Sequence, residues 1–142
     1  MKEKNVLSKV SEEKMKILLT EAKEARTKAY APYSGYQVGA ALLTSSGRIF
    51  RGANIENVSY GATICAERVA AVKAVSEGED QFLALAVVAD SKEPGSPCGI
   101  CRQFLAEFAP ELPLIMGNIQ GKVEVGSLDE YLPRAFDKEY LK

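Results

Sequence analysis

The 142-residue sequence has no histidine, and only three of its residues are cysteines. Without histidine, a metal site in this chain can draw its ligands only from cysteine thiolates and carboxylates. An odd number of cysteines, two of them in a C-x-x-C pair, excludes a framework of paired disulfides. These features indicate a reducing compartment in which thiols are available to bind metal.

The sequence also lacks a cluster of lysine and arginine, and its net charge is −1. This excludes the basic surface that a nucleic-acid polymer requires, so we expect a small-molecule substrate. No run of about 18 apolar residues is present, and the mixed-charge N-terminus has no apolar signal-peptide core. We therefore expect a cytoplasmic protein without a membrane span. No repeat, linker or low-complexity segment divides the chain, which predicts a single domain over residues 1–142.

The hydrophobic pattern predicts a three-layer α/β/α fold with a mixed five-stranded sheet. After a polar lead, Ser11 is expected to cap a helix that ends before Ala31-Pro32. The remaining predicted elements are a hairpin of Val38 to Leu43 with Arg48 to Asn54, a helix from Cys65 to Gly78, a strand from Phe82 to Ala89, a helix from near Cys98 to before Pro110, strands at Leu114 to Met116 and Val123 to Val125, and a last helix capped by Ser127.

The three cysteines lie where two helices are predicted to begin. Cys98 and Cys101 are three residues apart, so they share one helix face, and Cys65 begins the other helix. Helix N-termini favour thiolates, the form that binds metal. By itself the C-x-x-C pair is equally typical of a redox dithiol or half of a structural zinc site. With Cys65 and the nearby Glu67 it predicts a catalytic zinc site, since such sites keep three protein ligands and a position for water.

Two side chains beside Cys65 are candidates for supporting roles. We expect Glu67 to shuttle protons; the alternative is a helix-start carboxylate that the dipole stabilises. Three thiolates and Zn²⁺ carry a net charge of −1, which Arg68 could offset by donating hydrogen bonds to thiolate sulfur. A surface ion pair is the alternative for Arg68.

Other polar and aromatic residues are less specific. Asn54 and Glu56 lie on alternate positions at a strand end and could bind hydroxyl groups, although a solvated strand end explains them as well. Tyr36, at the entrance to the first strand, is expected from position alone to pack into the core rather than to stack on a planar ligand.

Five stretches resemble those of the cytidine deaminase family, in its small form with cysteine ligands. They occur in the family's order and cover most of the chain. The zinc-deaminase signature is a zinc ligand, any residue and then glutamate, followed later in the chain by Pro-Cys-x-x-Cys. The stretches are Ala31-Pro32-Tyr33-Ser34, Val38-Gly39-Ala40-Ala41-Leu42, Gly52-Ala53-Asn54-Ile55-Glu56-Asn57, Cys65-Ala66-Glu67-Arg68 and Pro97-Cys98-Gly99-Ile100-Cys101-Arg102-Gln103.

The resemblance implies one zinc ion per chain, held by Cys65, Cys98 and Cys101, with Glu67 as the proton shuttle. The implied reaction is hydrolytic deamination at C4 of cytosine, which converts cytidine and deoxycytidine to uridine and deoxyuridine and releases ammonia. Its metabolic setting would be pyrimidine salvage.

The resemblance also implies how the nucleoside is held. It assigns Asn54 and Glu56 to the ribose hydroxyls, which reverses the interpretation as a solvated strand end. Tyr36 corresponds to an aromatic ring that packs against the pyrimidine, and backbone groups around Ala66 would contact the base.

The family is also known for shared sites, so the resemblance implies a homotetramer. Phe136 matches a residue that enters a neighbouring subunit's site, and Tyr60 corresponds to a position near subunit boundaries. The sequence departs from common family residues at Tyr36, where phenylalanine is usual, at Gln37, where proline is common, and at Ala53, where cysteine is frequent. These departures concern the shape of the base pocket.

Three other functions are considered. A deaminase of an antibiotic nucleoside such as blasticidin S shares the cysteine stretches, but the segment Asn54 to Asn57 argues against it. An editor of polynucleotides is disfavoured because a basic surface is lacking. A non-catalytic zinc module would have no reason to keep a ligand position open beside Glu67.

Overall fold

The computed structural model describes Val6 and residues 8–142, and its centre is a mixed sheet of five strands. The strands are β1 (Val38–Thr44), β2 (Ile49–Ala53), β3 (Phe82–Ala89), β4 (Pro113–Asn118) and β5 (Val123–Ser127), and the helices between residues 12 and 131 are α1 (Glu12–Arg26), α2 (Ala66–Ser76), α3 (Gly99–Ala106) and α4 (Leu128–Tyr131). Their order in the sheet is β2-β1-β3-β4-β5. Strands β3 and β4 are parallel, and the other neighbouring pairs are antiparallel.

Helices cover both faces of the sheet because successive strand residues point to opposite sides. Leu42, Leu85 and Val87 pack with residues of α2 and α3 on one face. Ala41 and Ala86, their neighbours along the strands, pack against α1 on the other. The expected three-layer α/β/α architecture and its mixed five-stranded sheet are therefore confirmed.

Helix α1 begins as the sequence predicts and, as expected, ends before Ala31-Pro32. The Ser11 side chain accepts a hydrogen bond from the Lys14 N–H at 3.1 Å, which caps the helix. The helix stops at Arg26, and four residues later Tyr30 pairs with Ile55 in an isolated bridge. Since that bridge requires extended backbone, the chain must leave helical geometry before Ala31-Pro32.

The segment before Ser11 is more than a polar lead. Val6 and Val10 are both buried, and Val10 packs in the same cluster as Met15 and Leu18 of α1. Residues 1–5 and residue 7 of this segment lie outside the described residues.

Two glycines let helices lie directly on the sheet. A Cβ at Gly39 of β1 would collide with backbone atoms of Ala22 and Arg26, and a Cβ at Gly52 of β2 would collide with backbone atoms of Ala66 and Ala70. Close packing at Gly52 sets the first turn of α2 beside the end of β2. That contact brings the start of α2, which carries Cys65 and Glu67, toward Asn54.

The other boundaries differ from the predictions by a few residues. Strand β2 is shorter than the predicted Arg48 to Asn54, whereas β4 and β5 are longer than predicted. Helix α3 ends at Ala106, before a turn that leads to Pro110.

Among the described residues, no helix combines the length and the apolar character needed to cross a membrane.

Candidate active site and metal centre

Two of the three cysteines occupy the residue that immediately precedes a helix. Cys65 is the N-cap of α2 and Cys98 is the N-cap of α3; both have extended backbone, and neither side chain caps its own helix. Their sulfur atoms are thus available to other groups. Cys101 lies one turn into α3 and is fully buried. Both helix starts occur where the sequence predicts them.

The sulfur atoms of the three cysteines form one cluster. Cys65 Sγ lies 3.8 Å from Cys98 Sγ, and Cys98 Sγ lies 3.6 Å from Cys101 Sγ. A tetrahedral zinc ion with Zn–S bonds of about 2.3 Å places its sulfur ligands about 3.8 Å apart, whereas a disulfide joins sulfurs at about 2.05 Å. The spacing therefore fits three thiolates around one zinc ion and does not fit a disulfide.

Within the thiol cluster, Cys65 is shifted toward the thiolate form. Arg68 Nη2 donates a hydrogen bond to Cys65 Sγ at 3.7 Å, as predicted for this arginine. Hydrogen bonding from Cys101, together with that from Arg68 and Cys98, lowers the pKa of Cys65 to about 5. The same interaction with Cys65 raises the pKa of the Cys101 thiol. Because metal competes with protons for sulfur, a cation would displace the remaining thiol protons.

Glu67 lies in the first turn of α2 and is 4% exposed. Burial raises the pKa of its carboxyl to about 7, and the negative charge of Cys65 adds to the effect. A cation among the thiolates would oppose this shift. A carboxyl poised to exchange protons near neutral pH suits general acid-base chemistry.

The thiols and Glu67 open onto a cleft of about 250 Å³ between β1, β3, the start of α2 and the loop before α3. The cleft brings together Tyr36, Asn54, Glu56, Cys65, Ala66, Glu67 and Cys98 from the sequence-predicted set, and its other lining residues are Val38, Thr63, Val87, Ala89, Gly95 and Ser96. Cys101 lies behind Cys98 in the cluster. One concavity thus contains Cys65 and Cys98 at one end and the Asn54 and Glu56 pair at the other.

At the end of the cleft away from the cysteines, Glu56 anchors a loop. Its carboxylate accepts hydrogen bonds from the backbone N–H groups of Tyr33 and Ser34, at 3.0 and 3.1 Å, and from the Ser34 hydroxyl. These bonds, that of the Ser34 side chain above all, lower the pKa of Glu56. The same hydroxyl accepts a bond from the Tyr36 N–H at 3.0 Å. Ser34, which has no individual role in the sequence-based prediction, therefore links Glu56 to Tyr36.

Asn54 anchors the same loop from its other side. Its side-chain carbonyl accepts a hydrogen bond from Val38 N–H at 2.9 Å, and its amide donates to the Tyr36 carbonyl at 2.8 Å. Asn54 lines the cleft and is 8% exposed, and its amide oxygen and nitrogen can each form one further hydrogen bond. The residue thus fixes the loop that presents Tyr36.

Tyr36 lines the cleft and is 42% exposed. The expectation from position alone, that its ring packs into the core, is therefore wrong. The ring is held outward because Asn54 and Ser34 bind the Tyr36 backbone groups. The sequence shows that Tyr36 lies just before a strand, but it does not show whether the side chain points into the core or away from it.

The wall formed by Gly95 and Ser96 was missed from the sequence. Both residues precede Cys98 in the loop after β3, and Arg102 fixes this loop by donating to the Pro97 carbonyl at 2.8 Å and to the Ser96 hydroxyl at 3.1 Å. Loops that follow the carboxyl end of a buried strand often form ligand sites, and this signal was available.

Two predicted residues, Phe136 and Tyr60, belong neither to the cleft lining nor to the group around the thiols. Phe136 is 58% exposed and stacks on Tyr140, and its carbonyl accepts a hydrogen bond from the Gln103 side chain at 2.8 Å. Tyr60 is 77% exposed and contacts the Tyr33 ring edge-on. Tyr60 lines an adjoining groove that shares Glu56 and Thr63 with the cleft.

Comparison with known proteins explains the combination of thiols, buried carboxylate and cleft. Residues 12–115 match the family model described as the cytidine and deoxycytidylate deaminase zinc-binding region. The chain belongs to the cytidine and deoxycytidylate deaminase family. Zinc-dependent deamination is the activity of this family, so the chain is a deaminase with a zinc cofactor. Cys65, Cys98 and Cys101 are the clustered thiols able to hold that ion.

Individual members of the deaminase family are similar over most of their length. A cytidine deaminase from Halalkalibacterium halodurans is 53% identical over 124 residues, which cover 87% of this chain and 94% of that protein. One from Sporosarcina psychrophila is 52% identical, with coverage of 87% and 92%. The solved structure of a cytidine deaminase from Burkholderia pseudomallei has a TM-score of 0.83 at 48% identity, covering 85% of this chain and 98% of that one.

Proposed function

We propose that this deaminase acts on cytidine and deoxycytidine, giving uridine or deoxyuridine and ammonia, and that it serves pyrimidine salvage in the cytoplasm. The observation that carries the proposal is a single cleft with a buried carboxylate beside three clustered thiols at one end and the Asn54 and Glu56 pair at the other. We further propose that residues 1–142 form one domain.

At the metal end, Cys65, Cys98 and Cys101 would hold the zinc ion as thiolates. When bound there, zinc supplies a Lewis acid that makes water more acidic at neutral pH. Three thiolates weaken this effect because they reduce the positive charge of the centre. The hydrogen bond from Arg68 to Cys65 withdraws charge from one sulfur and so restores part of the effect.

Glu67 is proposed as the group that moves protons. Its carboxylate accepts a proton from the attacking water and delivers it to a ring nitrogen of cytosine. Once the water oxygen has bonded to C4, the same side chain takes the remaining proton of that hydroxyl and delivers it to the amine as the C4–N bond breaks. Water and cytidine thus give uridine and ammonia. Burial of Glu67 excludes bulk water from this exchange, since the side chain is 4% exposed.

The remainder of the cleft would bind the nucleoside. Tyr36 would offer a ring for the pyrimidine face, and backbone groups of Ala66, which lines the cleft next to Glu67, would contact the edge of the base. Asn54 and Glu56 keep free acceptor and donor capacity for ribose hydroxyls. Among the residues that the structure describes, neither lysine nor arginine lines the cleft. Its two carboxylates would repel a phosphate, which favours a nucleoside over its phosphate ester.

We propose a homotetramer, in which Phe136 enters the site of a neighbouring subunit and Tyr60 lies near a subunit boundary. Both rings are exposed in the single chain, and exposed large aromatic side chains favour association. Light scattering coupled to gel filtration should give the mass of four chains. The mass of a single chain would contradict this part of the proposal.

The test of the activity is loss of the ultraviolet absorbance of cytidine with zinc-analysed protein, comparing wild type with Glu67→Gln. The variant keeps the size of the side chain but cannot shuttle protons. We expect turnover by the wild type and a rate lower by about 10²- to 10⁴-fold in the variant, with about one zinc per chain in both.

Other substrates distinguish the remaining functions. Turnover of blasticidin S but not cytidine would indicate an antibiotic deaminase, and turnover of single-stranded oligonucleotides would indicate an editor. A zinc-loaded wild type that leaves every cytosine compound unchanged would contradict the proposed enzyme and favour a structural zinc module.

A further inference from the structure

The two loops that form the cleft leave the sheet at the same point. Val38 of β1 pairs with Ala89 of β3 at the end of their ladder, and both residues line the cleft. Gln37 lies directly before Val38, in the loop that carries Tyr36. Asp90 lies directly after Ala89, in the loop that leads to Ser96 and Cys98. A group that binds both Gln37 and Asp90 therefore fixes the distance between the two loops at the point where they meet the sheet.

Arg26, the last residue of α1, binds both. Its Nη1 donates to Asp90 Oδ1 at 2.7 Å and to Gln37 Oε1 at 3.1 Å. The Arg26 and Asp90 side chains are 17% and 25% exposed. Because the pair is partly shielded from water and shares a charge-assisted hydrogen bond, it should be stronger than an exposed ion pair.

The position of Arg26 is itself fixed. Its backbone lies against Gly39 so closely that a Cβ at that glycine would collide with it. Its Nε is buried and has no hydrogen-bond partner among the described residues. The side chain thus extends from a rigid contact between α1 and β1 and directs Nη1 at the two loops.

We propose that Arg26 is a positioning residue for substrate binding, which holds the Tyr36 loop and the Ser96 loop at the spacing that the pyrimidine requires. Arg26, Gln37 and Asp90 do not line the cleft, so they act through the residues that do. The inference rests on the proposed function, because the spacing matters only if a planar base binds between these loops.

The positioning role predicts a change in KM at constant kcat. Asp90→Asn keeps the size of the side chain and removes its charge, and should raise KM for cytidine about tenfold, since hydrogen bonds to charged groups are the stronger class. Gln37→Ala removes a single bond to Arg26 and should raise KM about threefold. The zinc content and kcat should stay near wild type because Arg102 separately anchors the loop next to Cys98.

A matched control lies in the same loop. Glu93 forms an ion pair with Lys122 at 2.7 Å, both side chains are largely exposed, and Glu93 does not line the cleft. Glu93→Gln therefore removes a carboxylate charge from the loop without touching Arg26. We expect KM and kcat of this variant to equal those of the wild type.

Arg26→Met supplies the second step of the test. Once the shared arginine is absent, Asp90→Asn and Gln37→Ala should add no further increase in KM, as in a double-mutant cycle for residues that act through one partner. If Arg26→Met does not fold, the KM values of the two single variants decide by themselves.

The outcomes separate this inference from the function on which it rests. Raised KM in Asp90→Asn and Gln37→Ala, with normal zinc and kcat, supports the inference. Wild-type KM in both variants contradicts it, as does a parallel loss of zinc and kcat at constant KM, which would indicate a merely structural role. A wild type inactive on cytidine contradicts the proposed function and the inference with it.

Discussion

The two ends of the cleft are built in different ways. At the metal end, Cys65, Glu67 and Cys101 belong to the first turns of two helices that pack on the sheet, and Glu67 and Cys101 are buried. At the other end, which is proposed to bind the sugar and is called the sugar end below, Tyr36 and Glu56 lie on irregular backbone outside the strands. Hydrogen bonds between side chains and backbone groups hold that end together.

Under the proposed function, this difference in construction suits the two ends to separate tasks. Groups on packed helix starts keep fixed positions, which suits proton transfer and metal binding. A loop held by a few hydrogen bonds can be altered without disturbing the core, which suits substrate selection. Damage to the metal end should therefore abolish turnover, whereas damage to the sugar end should mainly weaken binding.

The largest effect is expected for Cys101→Ser. The substitution replaces a buried thiol, which belongs to the cluster of sulfur atoms, with a weaker ligand for zinc. Zinc content should fall well below one per chain and turnover should drop to background, as measured by metal analysis and by the cytidine assay. Stoichiometric zinc with normal turnover would remove Cys101 from the ligand set.

Arg68→Ala should have a smaller effect at the same end. It removes the hydrogen bond to Cys65, and loss of such supporting bonds typically reduces metal affinity or activity about 10- to 100-fold. Zinc loss during titration with a chelator and kcat report the two effects. Arg68→Lys keeps the charge and should recover part of the loss; wild-type zinc retention and kcat in Arg68→Ala would refute the role.

Glu56→Gln tests the sugar end. The amide can still accept some of the loop's hydrogen bonds but loses the negative charge that strengthens them, so we expect KM for cytidine to rise about tenfold with zinc content unchanged. Ser34→Ala, which removes one bond to Glu56, should raise KM less. A fall in kcat with constant KM would show that the two ends are not functionally separate.

The smallest effect concerns Glu79, which lies outside the cleft. Its carboxylate accepts hydrogen bonds from Ser46, Thr44 and Arg48, and these hold its pKa below the ordinary value of 4.5. A depressed pKa stabilises the folded state above that ordinary value, and the stabilisation is lost as the pH falls through the folded pKa.

Thermal unfolding of wild type and Glu79→Gln should accordingly differ most near neutral pH, and the difference should shrink below about pH 4.5. Cytidine turnover at neutral pH should be the same in both proteins. A difference in melting temperature that does not vary with pH would contradict this account.

The metal end could be predicted from the sequence because its geometry is local. Cys98 and Cys101 share a helix face through their spacing alone, and Cys65 and Glu67 lie within one turn of a second predictable helix start. The proximity of the two helix starts could be predicted from chemistry, because three thiols and a carboxylate together are typical of a single catalytic metal site.

The sugar end could not be predicted in this way. Asn54 and Glu56 were assigned through the family resemblance, and the bonds that Ser34 donates to Glu56 span 22 residues of chain. The Arg26–Asp90 pair spans 64 residues and joins elements whose proximity depends on the completed sheet. Burial of Val6 and Val10 likewise depends on tertiary packing that the mixed polarity of that segment does not indicate.

The placement of the cysteines on either side of β3 also has a consequence for the time course of folding. Cys65 precedes this strand by one helix, Cys98 follows it by one loop, and the strand itself lies between β1 and β4 in the sheet. The three sulfurs can therefore meet only after β3 has entered the sheet and its long-range pairings have closed. During refolding, zinc should therefore bind late, and the rate of zinc binding should report the rate at which the sheet is completed.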